Sequence, residues 1–203
     1  MKKNALLALS IISLSISAVA SARAQTNTDD FATEPDKTMA SSHQSFVKGD
    51  TNTAAAQIHK AATYVRNESN EVATSAKADL QKAGESLDKL GEGVKNGTVK
   101  SADELKKTFA TVDHAIAKGW HETAEQAKAS GRDSSNALRK ARAALDGAAK
   151  WSGIKLQEGA QASVDALKKV GQKTGESVKT GAKQVESWLK DIGHGIKQVG
   201  RKL

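Results

Sequence analysis

Apolar residues recur mostly at steps of three and four along nearly all of the chain after residue 36. This spacing places them on one face of an α-helix. The pattern predicts an all-α fold in which long amphipathic helices form an elongated antiparallel helical bundle. The predicted helices cover residues 39–50, 53–95, 101–151 with a break at Ser130-Gly131, and 154–203.

The second and third predicted helices each carry one apolar face. In the second helix this face consists of Ile58, Val65, Val72, Ala76, Leu80, Ala83, Leu87, Leu90 and Val94. In the third it consists of Leu105, Phe109, Val112, Ile116, Trp120, Leu138, Leu145 and Trp151.

Short polar and glycine-containing segments mark the predicted helix ends. Asn96-Gly97 is a predicted stop, because both residues tolerate the left-handed backbone conformation. Ser101-Ala-Asp-Glu104 has the spacing of a capping box, in which the two side chains satisfy free N–H groups of the first turn. Residues 46–65 resemble one tetratricopeptide helix-turn-helix unit in their spacing. A solenoid needs at least three such units, so a local helical hairpin is predicted.

The C-terminal segment has the most regular pattern in the sequence. Leu156, Leu167, Val178 and Leu189 recur every eleven residues, and from residue 178 onward the period becomes a heptad. Lys183, Lys190 and Lys197 recur on one flank of this heptad. Its two core positions hold Val178, Val185, Ile192 and Val199, and Ala182, Leu189, Ile196 and Leu203.

The N-terminus has the features of a secretory signal peptide. Lys2 and Lys3 precede an apolar stretch of about 15 residues, which is shorter than a membrane-spanning helix. Cleavage is predicted after Ala24, with Ala20 and Ala22 as alternatives, so we expect a periplasmic or extracellular protein. The predicted organisation is a signal peptide (1–24), a flexible leader (25–37), a helical hairpin and bundle region (38–150), and a basic amphipathic C-terminal helix (151–203).

Composition limits both the core and the chemistry. Leu, Ile, Val and Phe together account for 29 of the 179 residues after position 24, few enough that tertiary stability is expected to be marginal. Cysteine is absent, so disulfides, thiolate catalysis and cysteine-based zinc sites are excluded. Residues 151–203 carry ten basic and five acidic groups, and this excess points to an anionic partner at the C-terminal end.

Two passages rich in Ala, Gly, Lys and Glu carry a family resemblance. KKVGQKTGESVKTGAKQVES (168–187) and GESLDKLGEGVKNG (84–97) resemble group 3 late-embryogenesis-abundant proteins and exchangeable apolipoproteins. The resemblance implies amphipathic helices that become ordered on membranes or during drying. This chain departs from those families by its capped central helix and its three tryptophans.

The C-terminal heptad is the candidate binding site, and two interpretations of it are open. Lysines flanking an apolar face with a tryptophan are typical of a helix that lies at a membrane interface. The same face could instead pack on the protein's own helices, or on a second copy as a coiled coil. Glycines in this segment either weaken the helix or permit close helix approach. The candidate binding residues are Lys183, Trp188, Leu189, Lys190, Ile192, Ile196, Lys197 and Val199.

No catalytic or cofactor site is predicted. His114 and His121 share a helix face beside Asp113 and Glu122, but a metal site would need a further donor, His59 or His43, from another helix. Motifs for phosphate loops and nucleophilic serines are absent. Nucleic-acid binding is disfavoured, because no basic-aromatic recognition motif accompanies the basic residues. We expect no cofactor, no metal and no small-molecule substrate.

Two functions remain open at this level. The first is an exported amphipathic-helix protein that binds membrane or lipid surfaces, or protects the cell envelope under stress. The second is a periplasmic helical-bundle module, without catalytic activity, that binds another helical protein. A homo-oligomer is compatible with either function.

Overall fold

The computed structural model describes residues 33–172 and 182–203, with side chains described through residue 166 and from residue 183. These residues confirm an all-helical bundle: they form seven α-helices and a short 3-10 helix (Thr74–Ala76), without a strand. The predicted signal peptide and most of the leader lie outside the described residues. The helices are α1 (Glu34–Val47), α2 (Thr51–Glu68), α3 (Lys77–Lys95), α4 (Ala102–Ala129), α5 (Ser135–Ser152), α6 (Glu158–Gln172) and α7 (Ala182–Gly200).

Helices that follow one another in the chain pack as antiparallel pairs. In the predicted hairpin of α1 and α2, Gln57 contacts both Ser41 and Ser45. Between α4 and α5, the Phe109 and Trp151 rings meet edge to face at 5.3 Å, and Lys140 Nζ lies 3.8 Å from the Trp120 ring centroid. The capping box at Ser101 and the break at Ser130-Gly131 are both confirmed.

The prediction that the leader extends to residue 37 is wrong, because α1 begins at Glu34. Thr33 and Asp36 form a second capping box, with Thr33 N donating to Asp36 Oδ2 at 2.8 Å. Pro35 occupies the first turn, where a missing N–H costs no helical hydrogen bond. A local cap therefore starts the helix inside a segment that was predicted to be flexible from its polarity.

The prediction of a single helix over residues 53–95 is also wrong, since α2 ends at Glu68 and α3 begins at Lys77. The intervening segment turns the chain, so that α2 and α3 lie antiparallel. Asn67-Glu68-Ser69-Asn70-Glu71 contains no apolar residue, and this gap in the apolar face is the feature that indicates the turn.

The C-terminal region is likewise not one helix from residue 154 to residue 203. Helices α6 and α7 lie side by side and antiparallel. Ser163 Oγ donates to Asp191 Oδ2 at 2.8 Å, and Gln157 N donates to Gln198 Oε1 at 2.9 Å. The periodic pattern continues across both helices, so periodicity alone does not reveal the reversal of direction.

The core is built largely from small side chains. Of the 39 buried hydrophobic residues in the described chain, 18 are alanine, and the predicted apolar faces of the second and third helices supply most of the larger ones. Alanine buries little area, so helices joined by alanine must approach closely to exclude water. Glycines on α3, α5 and α7 permit an even closer approach to neighbouring side chains.

A pair of carboxyl groups joins α1 to α4 inside this core. Asp113 is fully buried, lies beside Asp36 and packs directly against Gly147 of α5. Two carboxyl groups can share a hydrogen bond only when one of them is protonated. Burial raises the pKa of Asp113 well above its usual value, and the charge of Asp36 raises it further. Protonation of Asp113 would allow its carboxyl group to donate to Asp36.

Replacing Asp113 by Asn should stabilise the fold increasingly as pH rises. Because the folded-state pKa of Asp113 is raised, its contribution to stability is complete below about pH 4 and is lost as pH rises toward that pKa. The advantage of D113N should grow by at most about 1.4 kcal/mol per pH unit, as measured by urea unfolding between pH 4 and 7. D165N, at an exposed position on α6, serves as the control. A difference between D113N and wild type that does not change with pH would contradict the raised pKa of Asp113.

Removing the Ser101 cap should lower the free energy of unfolding by about 1 kcal/mol. Ser101 Oγ accepts from Glu104 N at 3.3 Å, and S101A leaves that N–H without its acceptor. S86A is the matched control, because the Ser86 hydroxyl only donates to Lys82 O on an exposed face of α3. Equal urea midpoints for the two variants would show that the cap contributes nothing.

Candidate surface-binding site on helix α7

Helix α7 separates the predicted binding residues onto two opposite sides. The apolar ones contact the bundle, where α7 packs on α4, α5 and α6, so little of their area remains at the protein surface. This is the packing interpretation that the sequence left open beside membrane contact. Lys183, Lys190 and Lys197 are all exposed on the other side. The buried residues are Trp188, Leu189, Ile192, Ile196 and Val199, each no more than 7% exposed.

Two further members of the predicted heptad behave differently. Leu203 is 38% exposed beyond the end of α7. Val185, at the start of α7, is partly buried. Val178 and the side chain of Ala182 lie outside the described residues. The apolar face that packs on the bundle is therefore centred on residues 188–199.

Two histidines of α4 hold α7 in register. His121 Nε2 lies 2.8 Å from Leu189 O, and His114 Nε2 lies 3.0 Å from Ile196 O. In a helix, the side chain four residues later covers such a carbonyl. Gly193 and Gly200 occupy those two positions, so each carbonyl is open to an imidazole N–H. A Cβ would lie 3.0 Å from His121 Nε2 at Gly193 and 2.7 Å from His114 Nε2 at Gly200.

These contacts involve two sets of residues that the sequence singled out. The histidines weighed as metal ligands act as donors to helix carbonyls, and no three His, Asp or Glu residues of the described chain are placed to hold a metal ion. The glycines of α7 permit close helix approach. The sequence does contain the relevant feature, which is a pair of histidines and a pair of glycines that share a seven-residue spacing.

Burial makes the contact at His114 sensitive to pH. Desolvation lowers the pKa of His114, the Ile196 carbonyl opposes that shift, and the charge of Lys118 adds to it. A lowered folded-state pKa means that the stability due to neutral His114 is present above about pH 6.5 and is lost as pH falls. The docking of α7 on α4 therefore weakens in acid.

A groove of about 1410 Å³ lies along the line where α4 and α7 meet. Its α4 wall carries Lys118, Glu122, Glu125 and Lys128, and the two histidines and the apolar residues Leu189 and Ile196 also line it. The α7 wall is formed by Glu186, Lys190, His194, Lys197 and Arg201.

Comparison with known proteins gives no family assignment. No family model, curated protein or solved structure matches the chain. Among the described residues, no helix has both the length and the hydropathy needed to cross a membrane. Charge and geometry make α7 and its groove the candidate site of function.

Substituting Ala at Gly193 or Gly200 should loosen α7. Each new Cβ would displace a histidine from its carbonyl, at a cost of about 1–3 kcal/mol, offset in part by the roughly 1 kcal/mol that Ala gains over Gly within a helix. We expect lower urea midpoints and faster amide hydrogen exchange throughout α7. G159A is the control, because a Cβ there makes only an ordinary contact, 3.7 Å from Asp191 Oδ1. Equal or greater stability of G193A and G200A would contradict the need for close approach.

Proposed function

We propose that this protein is an exported, non-catalytic helical bundle that binds anionic membrane surfaces through the exposed lysines of α7. The observation that supports this most is the row of Lys183, Lys190 and Lys197. All three are exposed at heptad spacing, and no carboxylate of the described residues lies within 4.0 Å of any of them. Unpaired lysines on one side of a helix leave their charge available to an external anion.

The free energies involved favour membrane binding in which α7 remains docked on the bundle. Each lysine near an anionic surface contributes about 1 kcal/mol, so three contribute about 3 kcal/mol. Undocking in water would expose five large apolar side chains, at roughly 1.5–3 kcal/mol each. The charge gain cannot offset that exposure, and the lysines already face outward. First contact with the membrane therefore does not require the bundle to open.

Export supports an envelope location for this binding. The predicted signal peptide would deliver the chain to the periplasm or the exterior, where an anionic membrane surface is accessible. The resemblance to late-embryogenesis-abundant and apolipoprotein sequences agrees with a surface-binding or protective role for the C-terminal region. Stress protection of the cell envelope is the biological process that we associate with such binding.

A second candidate function is a protein-binding module. The groove between α4 and α7 supports it, because its walls present both acidic and basic side chains beside apolar ones. A partner helix with a complementary charge pattern could lie in such a groove. The two candidates differ in the binding partner, which is a lipid membrane in the first and a helical protein in the second.

Charge reversal of the lysine row should weaken membrane binding. The variant K183E/K190E/K197E should lose more than about tenfold in affinity for vesicles containing phosphatidylglycerol, measured by co-sedimentation at low salt. The matched control is K82E/K89E/K95E, which makes the same charge change at three exposed positions of α3. Binding by wild type should also weaken at physiological salt, because exposed charges are screened.

Three results would contradict the proposal. Wild type could fail to sediment with the vesicles, or the α3 variant could lose as much affinity as the α7 variant. Thirdly, hydrogen exchange in α7 could accelerate on vesicle binding, which would show that the helix undocks. Unchanged protection of the α7 amides would support binding in the docked form.

A further inference from the structure

One wall of the α4–α7 groove carries an uncompensated row of basic side chains. Lys190, Lys197 and Arg201 line it, with His194 between the first two. Their spacing of four and seven residues places them along one side of α7. None of these four side chains has a carboxylate of the described residues within 4.0 Å.

Two of the three carboxylates in the groove have lysine neighbours. Glu186 lies 3.6 Å from Lys128 Nζ, and Glu122 lies 4.0 Å from Lys118 Nζ and accepts from the Ser75 hydroxyl at 2.7 Å. Glu125 lies 3.7 Å from His121 Nδ1, which is an ion pair only when that imidazole is protonated. The α7 wall contributes the positive charge that these contacts leave unmatched.

The base of the groove is apolar and offers few free acceptors. Leu189 and Ile196, each 7% exposed, contribute its apolar part. The carbonyls of Leu189 and Ile196 already accept from His121 and His114. A ligand therefore meets cationic groups along one side and hydrocarbon beneath. From residue 190 to residue 201 the row extends about 16 Å, which is longer than one phosphate group.

We propose that this groove binds the phosphate-bearing headgroup of an anionic phospholipid. Arg201 supplies a planar guanidinium that can donate two parallel hydrogen bonds to phosphate oxygens, and Lys190 and Lys197 add point charges. The apolar base accommodates the organic part of the headgroup. This inference rests on the proposed membrane binding and gives it a defined site, beyond general attraction between a basic helix and an anionic surface.

Basic residues near the end of α7 also have a purely structural role. The negative end of the helix dipole favours Lys197 and Arg201 even without a ligand. Stability measurements cannot separate the two roles, so the experiment must measure ligand binding. Exposed basic residues that do not line the groove serve as the control for ligand binding.

The probes are glycerol phosphate, inorganic phosphate and phosphatidylglycerol vesicles, applied to the full mature chain. Binding of the soluble probes is followed by backbone amide shifts in α4 and α7. Glycerol phosphate should give saturable shifts confined to the groove, and it should compete with vesicles. K197Q/R201Q should weaken its binding by about tenfold or more.

The control variant is K89Q/K202Q, which removes the same charge. Lys202 adjoins Arg201 but does not line the groove, and Lys89 lies on an exposed face of α3. Its affinity for glycerol phosphate should stay within about twofold of wild type. Far-ultraviolet circular dichroism of both variants establishes that the helices remain folded.

Several outcomes would overturn the inference. Amide shifts that do not saturate, or that spread over all exposed lysines, would show that the probes bind only by general electrostatic attraction. Displacement by an acidic peptide but not by glycerol phosphate would indicate a protein partner. If inorganic phosphate bound as tightly as glycerol phosphate and vesicles did not compete with it, the ligand would be a soluble phosphate.

The two proposals fail in different ways. If vesicle binding depends on the α7 lysine row while K197Q/R201Q behaves like its control, the membrane function stands and the headgroup site is wrong. If glycerol phosphate saturates the groove while no vesicles bind, the membrane function is wrong. The ligand of the groove is then a soluble phosphate compound and not a lipid headgroup.

Discussion

Close approach between helices is the constraint on which this fold depends. The chain has few large aliphatic side chains, so its helices exclude water by meeting at alanine and glycine. Across from several glycines stands a large polar side chain of the neighbouring helix. His59 and Arg66 of α2 cover Gly91 and Gly84 of α3, His121 and His114 of α4 cover Gly193 and Gly200 of α7, and Asp113 of α4 covers Gly147 of α5.

This arrangement makes polar groups part of the packing. A histidine lying over a glycine fills the volume that a leucine would fill elsewhere, and its N–H satisfies a buried acceptor. Buried polar groups of this kind specify one register, because a shift along the helix leaves them unpaired. Such groups also make the packing depend on pH. Burial lowers the pKa of His114 and raises that of Asp113, so acid weakens one contact and alkali the other.

The register of α7 has a functional consequence. Once the two histidines fix the helix, its apolar residues face the bundle and its lysines face solvent. One wall of the groove beside α4 then becomes a row of basic groups without a carboxylate partner among the described residues. The same helix contributes both to the core and to the charged surface. Membrane binding and structural packing, which the sequence pattern presents as competing interpretations of one segment, are compatible because they use opposite sides of α7.

Much of the fold could be predicted from local sequence patterns. The capping box at Ser101, the stop at Asn96-Gly97 and the break at Ser130-Gly131 depend on nearby backbone groups, and the structure has all three. The apolar faces in residues 58–94 and 105–145 are buried as predicted, because helical periodicity determines which residues share a face. The start of α1 was missed although its cap is local, because polarity was given more weight than the capping pattern of Thr33 and Asp36.

Tertiary structure decided what periodicity cannot encode. An apolar face records only that a helix is half-buried, not which surface covers it, so the sequence could not distinguish packing of α7 on the bundle from contact with lipid. The end of α6 was hidden for a related reason, since the same period continues on both sides of the reversal. The end of α2, by contrast, is marked in the sequence by the gap in the apolar face at residues 67–71. The sequence by itself determined the helical class, the apolar faces and the basic excess near the C-terminus, because these depend on neighbouring residues. Only the packed fold brings together residues that are far apart in the chain. These are His114 and His121 with the carbonyls of α7, the buried carboxyl groups of Asp36 and Asp113, and the two walls of the groove.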